Sequence, residues 1–192
     1  GAGRVYERIA DQIERSGGNI FLNSPITSIE TDNGSINSIS TINKEINIEA
    51  NDIVLSSLPI VNLLKMLGQP SELKYRGVMI FYLDCLKERV LPKNTHWLYY
   101  DSKEVYFSRI TEPKQMNVEV PSSKKSLITV EVPYSVGDEL DMKDIDLITN
   151  EIIEQVERVG LIIKADVLNS TMIKEKFVYP IQFQGYSKEL AR

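Results

Sequence analysis

The sequence predicts an α+β fold (α/β in its first part) made of two parts, and three observations predict it. Near the start of the chain, Val5, Ile9 and Ile13 recur at the spacing of one helix face. Asn33-Gly34 then separates two alternating stretches, which is a strong β-hairpin signal. After residue 70, stretches rich in Val, Ile, Tyr and Phe lead to a long amphipathic helix. We therefore expect a segment with a three-stranded β-meander, followed by a mostly antiparallel sheet covered by helices.

The first part, residues 1–69, begins with the amphipathic helix, which Ser16-Gly17-Gly18 ends. Pro59 suits the first turn of a later helix, and Gly68 closes that helix. The predicted elements of this part are a helix over 4–15, a strand over 20–22, meander strands over 26–31, 36–41 and 45–48, a strand over 52–55 and a helix over 60–67.

The second part, residues 70–178, is predicted to have strands over 77–84, 97–100, 105–110, 127–132 and 167–178, with a helix over 145–159. An acidic run precedes that helix, between Asp138 and Asp146. It lacks the alternate-position ligands and the central glycine of a calcium loop. We interpret it as charge at the helix start, where the helix dipole favours acids.

Composition excludes several classes of function. The net charge is -5 and the basic residues form no cluster, which argues against nucleic acid and anionic membranes as partners. No apolar stretch is long enough for an integral membrane segment, and no secretory signal begins the chain, so we expect a cytoplasmic protein. Cys85 and His96 are the only residues of their types, so no disulfide, zinc cluster or other metal site is expected. Cys85 lies in an apolar run, which favours an inert buried thiol.

Gly1-Ala2-Gly3 raises the question of a phosphate-binding loop. A dinucleotide fingerprint needs a preceding strand, a third glycine at the sixth position and an acidic residue after the next strand. The sixth position is Tyr6, and the next apolar run ends in Asn23. The opening glycines are therefore not interpreted as a phosphate loop.

The order of elements in the first part is more specific than any single element. A helix, Gly-Gly, a strand, "SPITSIE", a meander, "NDIVLSSLP" and a helix follow one another. This order resembles the middle of flavin-dependent amine oxidases and their relatives, the group of protoporphyrinogen oxidase, phytoene desaturase and UDP-galactopyranose mutase. The resemblance continues through "LKYRGVMIFYLD", "HWLYYDSKEVYFSRITEPKQM", "KKSLITVEVP" and "FVYPIQFQGY". In it, Gly1 and Gly3 match the lead-in to an internal helix.

The resemblance implies a truncated middle fragment of such a protein. Residues 1–69 would be a segment of the FAD-binding domain, 70–178 the substrate-binding sheet domain, and 179–192 the return toward the FAD-binding domain. The N-terminal fingerprint and the C-terminal flavin-contacting segment of the group are missing from this sequence. We therefore expect FAD in the full-length protein, and weak or no FAD binding by this chain. The partners implied are a small-molecule substrate and the remainder of the FAD-binding domain.

The resemblance also implies candidate site residues. The cofactor contacts would come from the backbone of Ile26, near the adenine, and from Ser56, Ser57, Leu58 and Pro59. Two alternatives stay open: Ile26 as ordinary strand core, and Ser57 as a helix cap.

Aromatic residues and one arginine are the candidate substrate contacts. They are Tyr106 and Arg109 on a predicted strand, and Tyr179 and Tyr186 where the chain returns. A surface ion pair with a neighbouring acid is the alternative for Arg109, and core packing is the alternative for the tyrosines. No acid–base pair stands out, so the catalytic residues are unknown and the chemistry is expected from the flavin.

Three classes of function remain open. The first is a flavin-dependent oxidoreductase of the amine oxidase kind. The second is a flavoenzyme like UDP-galactopyranose mutase, for which a cluster of arginines around a diphosphate is expected; the arginines of the second part are dispersed, at Arg76, Arg89, Arg109 and Arg158. The third is a non-catalytic ligand-binding module, which should have a complete core, whereas an excised middle should expose apolar surface.

Overall fold

The computed structural model describes residues 2–116 and 123–191, and the chain forms two compact units. The first unit comprises Gly1–Leu73 and Gly185–Arg192, and the second comprises Lys74–Gln184. Gly1, one end of the glycine lead-in, lies outside the described residues. No helix in the described ranges is long and apolar enough to cross a membrane.

The first unit contains the predicted helices and the predicted meander. Its elements are α1 (Ala2–Arg15), β1 (Ile26–Asp32), β2 (Ser35–Thr41), β3 (Glu45–Asn47), α2 (Ile60–Met66) and α5 (Tyr186–Leu190). The three strands form an antiparallel sheet in the order β1-β2-β3. Asn33 and Gly34 both have positive φ, 50° and 82°, as a tight hairpin turn that matches the twist of its strands requires. The hairpin prediction is confirmed.

Two predicted strands of the first unit are wrong. Residues 20–22 and 52–55 have no strand pairing within the part of the chain that the structure describes. Ile53 and Leu55 are 86% and 92% exposed, and Phe21 and Leu22 are exposed as well. An apolar run marks a segment that would be buried in a sheet, but a strand also needs a neighbour to share its hydrogen bonds. Here the described chain supplies no such neighbour.

The second unit is built on a five-stranded antiparallel sheet in the order β5-β6-β7-β4-β8. Its elements are β4 (Tyr75–Cys85), β5 (Trp97–Tyr99), β6 (Arg109–Thr111), β7 (Ser126–Tyr134), α3 (Glu139–Met142), α4 (Ile145–Arg158) and β8 (Val167–Pro180), with 3-10 turns at Pro113–Met116 and Lys164–Asp166. Alternate residues of β4 and β7, such as Phe81 and Val130, pack with Ile152 of α4 in one buried core. The α+β fold class is confirmed.

Of two finer predictions for this unit, one is confirmed and the other is largely wrong. The acidic run does start helices: Asp138 caps α3, and Asp144 caps α4 by accepting hydrogen bonds from the N–H groups of Asp146 and Leu147. The strand expected over 105–110 is largely wrong, because only Arg109–Thr111 is a strand. The N–H of Tyr106 instead donates to Gln155 Oε1 at 2.7 Å, so this backbone is bound to α4 rather than to a neighbouring strand.

Candidate functional site

One face of the second unit's sheet is left uncovered by α4, and we call it the open face. In β4, Met79, Phe81 and Leu83 are buried in the core, whereas the alternate residues Ile80 and Tyr82 are only half-buried. β7 repeats this pattern, and its half-buried residues include Thr129 and Glu131. Because side chains alternate between the two sides of a strand, these half-buried residues share the side opposite α4.

Strand register arranges the open face into two rows. The first row runs across the sheet through Tyr99, Arg109, Glu131, Ile80 and Ile173. The second row runs through Trp97, Thr111, Thr129, Tyr82 and Thr171. Trp97 and Tyr99 are 46% and 69% exposed. The open face therefore presents aromatic and aliphatic side chains, three threonine hydroxyls and one pair of charges.

Arg109 and Glu131 form that charged pair. Glu131 Oε1 accepts hydrogen bonds from Arg109 Nε at 2.9 Å and from Nη2 at 2.6 Å. The side chains are 34% and 15% exposed, so the pair is half-shielded from water. The hydrogen bond with Glu131 is the main cause that raises the pKa of Arg109, with a smaller contribution from Tyr99. The ion pair expected as the alternative to a substrate role is thus present, and it uses two of the five N–H groups of the guanidinium.

Tyr106 does not join Arg109 on the open face. Its ring lies 5.0 Å from Lys143 Nζ, and its hydroxyl lies 3.4 Å from the same nitrogen. With its N–H bound to Gln155 of α4, Tyr106 belongs to the side of the sheet that the helices cover.

Of the two remaining tyrosines, Tyr179 lies apart from Arg109, and Tyr186 belongs to the first unit. Tyr179 lies on β8 opposite Arg76 and is 51% exposed. β7 and β4 lie between β8 and the strand of Arg109. Tyr186 begins α5, which belongs to the first unit. The structure therefore does not gather the four predicted substrate residues within the second unit.

Sequence reasoning missed the residues that accompany Arg109 on the open face, chiefly Tyr82, Trp97, Tyr99, Thr129 and Glu131. In β7 the signal was present, because Thr129 and Glu131 alternate with Ile128, Val130 and Val132. In β4 both sides are apolar, so the sequence does not tell which residues face away from the core.

The predicted cofactor stretch of the first unit runs from Ser56 to Pro59, just before α2. Ser56 and Ser57 are exposed, and Leu58 and Pro59 are half-buried. Ser56 Oγ accepts a hydrogen bond from the N–H of Leu58 at 3.3 Å, and no side chain caps α2. The interpretation of Ser57 as a helix cap is therefore wrong, because its hydroxyl makes no capping bond.

Ile26 begins β1 opposite Thr41 and is half-buried, so it is not a fully buried core residue. A groove of about 480 Å³ separates β1 from α2; it is lined by Thr27, Ser28, Asn62, Lys65 and Met66. Ile26 is the first residue of β1, next to Thr27 in the chain, and Pro59 directly precedes α2. None of the five predicted cofactor residues is among the residues that line this groove.

Cys85 is fully buried. Burial, reinforced by the nearby carboxylates of Asp84, Asp166 and Glu112, raises the pKa of its thiol to about 12. The expectation of a buried thiol is confirmed. A thiol that stays protonated is a poor nucleophile, so its inertness stays a prediction. Within the described residues, no group of three or more His, Cys, Asp or Glu side chains could hold a metal ion.

No protein-family profile matches the sequence, and no curated protein matches it either. Solved structures do match the whole chain. A protein from Exiguobacterium sp. 255-15 that is provisionally assigned as a protoporphyrinogen oxidase has a TM-score of 0.75 at 16% identity, and reduced UDP-galactopyranose mutase has a TM-score of 0.78 at 17% identity. The chain spans 42% of the length of each. The resemblance that the sequence predicts is confirmed at the level of the fold.

Proposed function

We propose that this chain is part of a flavin-dependent oxidoreductase of the amine oxidase kind. In this proposal the first unit is a segment of the FAD-binding domain and the second unit supplies the substrate-binding sheet. The observation that carries the proposal is the fold match over the entire chain to two larger proteins of the group that the sequence resembles. The cytoplasmic location stays a prediction from the sequence.

The surface of the first unit supports a fragment rather than a complete module. Val5, Ile9 and Ile13, which form the apolar face of α1, are all about half exposed, and Ile53 and Leu55 are almost fully exposed. Large exposed apolar patches mark surfaces that another element covers. A self-sufficient ligand-binding module, the third class considered, should instead bury these side chains in its own core.

The cofactor role is proposed for the residues that the resemblance indicates. The exposed Ser56 and Ser57 would hold polar atoms of FAD through their hydroxyls and main chain, while Ile26, Leu58 and Pro59 would shield it from water. When bound, the flavin supplies the redox chemistry by accepting a hydride from the substrate. The chain's own residues then bind and orient the substrate, for which the open face is the proposed surface.

A reaction like that of UDP-galactopyranose mutase is the less favoured alternative. Recognition of a diphosphate calls for guanidinium groups that are free to bind it. Glu131 neutralises the charge of Arg109, and the four arginines of the second part, Arg76, Arg89, Arg109 and Arg158, are dispersed along the sequence. This pattern does not favour a diphosphate site.

The proposal is tested by the flavin absorbance of the full-length protein after gentle purification, with the 192-residue chain as a control. We expect a flavin band in the full-length protein and none in the chain alone. A Ser57→Tyr variant of the full-length protein should lose flavin, because the added ring would occupy the proposed cofactor stretch. Ser102→Tyr, at another exposed serine, is the matched control and should retain flavin.

Two results would contradict the proposal. A colourless full-length protein that also fails to take up added FAD would reject the flavoenzyme assignment. Stoichiometric flavin in the 192-residue chain would reject its interpretation as a fragment that lacks the main FAD-binding elements.

A further inference from the structure

We propose that the open face binds an uncharged, ring-bearing part of the substrate, and that Glu131 sets this preference by neutralising the charge of Arg109. This inference rests on the proposed function, because it names the class of substrate for the surface assigned to substrate binding above.

Charge is balanced at the centre of the face. Within the two rows, Arg109 carries the only positive charge and Glu131 the only negative one. Glu131 takes two of the five N–H groups of Arg109, so an anionic ligand would have to bind the remaining ones beside a carboxylate that repels it. Displacing Glu131 would leave a half-buried carboxylate without its partner, which is costly. The pair therefore disfavours phosphate and carboxylate groups on this surface.

The rest of the face is mainly apolar, with hydroxyl groups along one row. Trp97, Tyr99 and Tyr82 provide ring surfaces, and Ile80 and Ile173 extend the apolar area across the sheet. Five strands at the usual spacing make each row about 19 Å wide, which is enough for several fused or linked rings. Thr111, Thr129 and Thr171 place hydroxyls, which both donate and accept hydrogen bonds, along the second row. Such a surface suits an apolar ring system with hydroxyl, carbonyl or ring-nitrogen groups.

Further charges lie beyond the two rows. Asp84 lies opposite Leu127 and Asn169, with Lys125 Nζ 3.9 Å from its carboxylate, and Glu175 lies opposite Val78. These acids disfavour anions further, while the Arg109–Glu131 pair leaves the two rows without net charge. A protonated amine is the competing occupant, which the experiment separates from an uncharged one.

Trp97 makes this face directly observable. It is the chain's only tryptophan and belongs to the second row, so its single indole N–H resonance reports ligands at this surface without background from other indoles. The experiment titrates the 192-residue chain with three probes that share one ring system: 1-naphthol, 1-naphthylmethylamine and 1-naphthyl phosphate. Dissociation constants come from the indole shift, and saturation-transfer NMR of each probe checks them.

We expect the uncharged naphthol to bind more tightly than either charged probe. Glu131→Gln removes the negative charge at nearly constant shape, and we expect it to raise the affinity for naphthyl phosphate about tenfold, as an available guanidinium permits. The double change Arg109→Gln with Glu131→Gln removes both charges and should abolish that gain. Glu154→Gln is the matched control, because it breaks an exposed ion pair with Lys164 away from the face and should produce no gain.

Four outcomes would overturn the inference: tighter binding of a charged probe by the unmodified chain, no indole shift with any probe, no gain in Glu131→Gln, or an equal gain in Glu154→Gln. The flavin test and the probe titration can fail independently of each other. A flavin-free full-length protein whose chain still prefers naphthol would reject the proposed function alone. A flavin-bearing protein whose chain binds none of the probes would reject this inference alone.

Discussion

The carboxylate of Glu112 accepts a hydrogen bond from the hydroxyl of Ser126, and both side chains are buried in the second unit. The same carboxylate accepts the N–H groups of Val90 at 3.0 Å and Leu91 at 2.8 Å. One buried side chain thus ties the connection after β4 to the start of β7. These partners are distant in the sequence, since Ser126 is 14 residues and Val90 is 22 residues from Glu112.

We expect Glu112→Gln to lower the free energy of unfolding of the second unit by roughly 2–3 kcal/mol. Both carboxylate oxygens accept backbone N–H groups, and glutamine offers one oxygen, so its amide would face a donor. Urea unfolding followed by the fluorescence of Trp97, which lies in this unit, measures the change. Glu139→Gln, at an exposed helix position, is the control, and a loss equal to that of the control would refute the structural role of Glu112.

Gly77 is a position in the second unit at which the structure leaves no room for a side chain. A methyl group at this position would collide with the ring of the fully buried Tyr134 and would lie 2.6 Å from the carbonyl oxygen of Glu175. Gly77→Ala should therefore destabilise the unit by roughly 1–3 kcal/mol. Gly3→Ala, which meets nothing within 4 Å, should leave the Trp97 unfolding transition in place. If Gly77→Ala leaves the unfolding transition unchanged, the close packing around Gly77 does not limit the side chain at this position, and the prediction is wrong.

The fold was predictable from sequence wherever a pattern was local and repeated. The alternation of β7 predicted a strand over 127–132, and the structure extends it to Ser126–Tyr134. The same reasoning fails for residues 20–22 and 52–55, because the existence of a strand depends on a partner elsewhere. An apolar run indicates that burial of the segment is favourable. It does not indicate whether a neighbouring strand is present to pair with it.

The candidate site was less predictable because it depends on register. Arg109 was identified as a candidate, but its partner Glu131 lies on another strand, 22 residues later. Only the pairing of β6 with β7 brings the two together, and only the pairing with β4 and β8 completes their row. Tyr106 was misplaced because the segment before β6 binds the side chain of Gln155 instead of continuing the strand.

Asp141 should make the second unit sensitive to acid. Its carboxylate pairs with Lys174 Nζ at 2.5 Å and accepts the N–H of Gly137 at 2.6 Å. The hydrogen bond from Lys174 is the main cause that lowers the pKa of Asp141, with that from Gly137 next. A carboxyl group whose pKa is lower in the folded state stabilises that state above its unfolded pKa, and this stability is lost as pH falls through the folded value.

We therefore expect Asp141→Asn to cost roughly 0.5–1 kcal/mol at neutral pH and progressively less below about pH 4. Urea unfolding of both proteins between pH 7 and pH 2.5 gives the difference in unfolding free energy at each pH. Lys174→Met removes the partner and should flatten the acid dependence in the same way. A difference between Asp141→Asn and the unmodified chain that grows as pH falls would have the wrong sign for this assignment.

The acidic run before α4 gives a last prediction, which separates a helix cap from a cation site. Asp144 Oδ1 accepts the N–H of Asp146 at 2.9 Å and that of Leu147 at 3.1 Å, which satisfies two donors that the first turn of α4 leaves unpaired. Asp144→Ala should cost about 1 kcal/mol of unfolding free energy, and Asp144→Ser should restore most of it, because serine also caps helices. A calcium site would behave differently: millimolar calcium would stabilise the unmodified chain, and serine would not replace the lost carboxylate. Because capping needs an acceptor and not a charge, rescue by serine without any response to calcium is the outcome that assigns Asp144 to the helix.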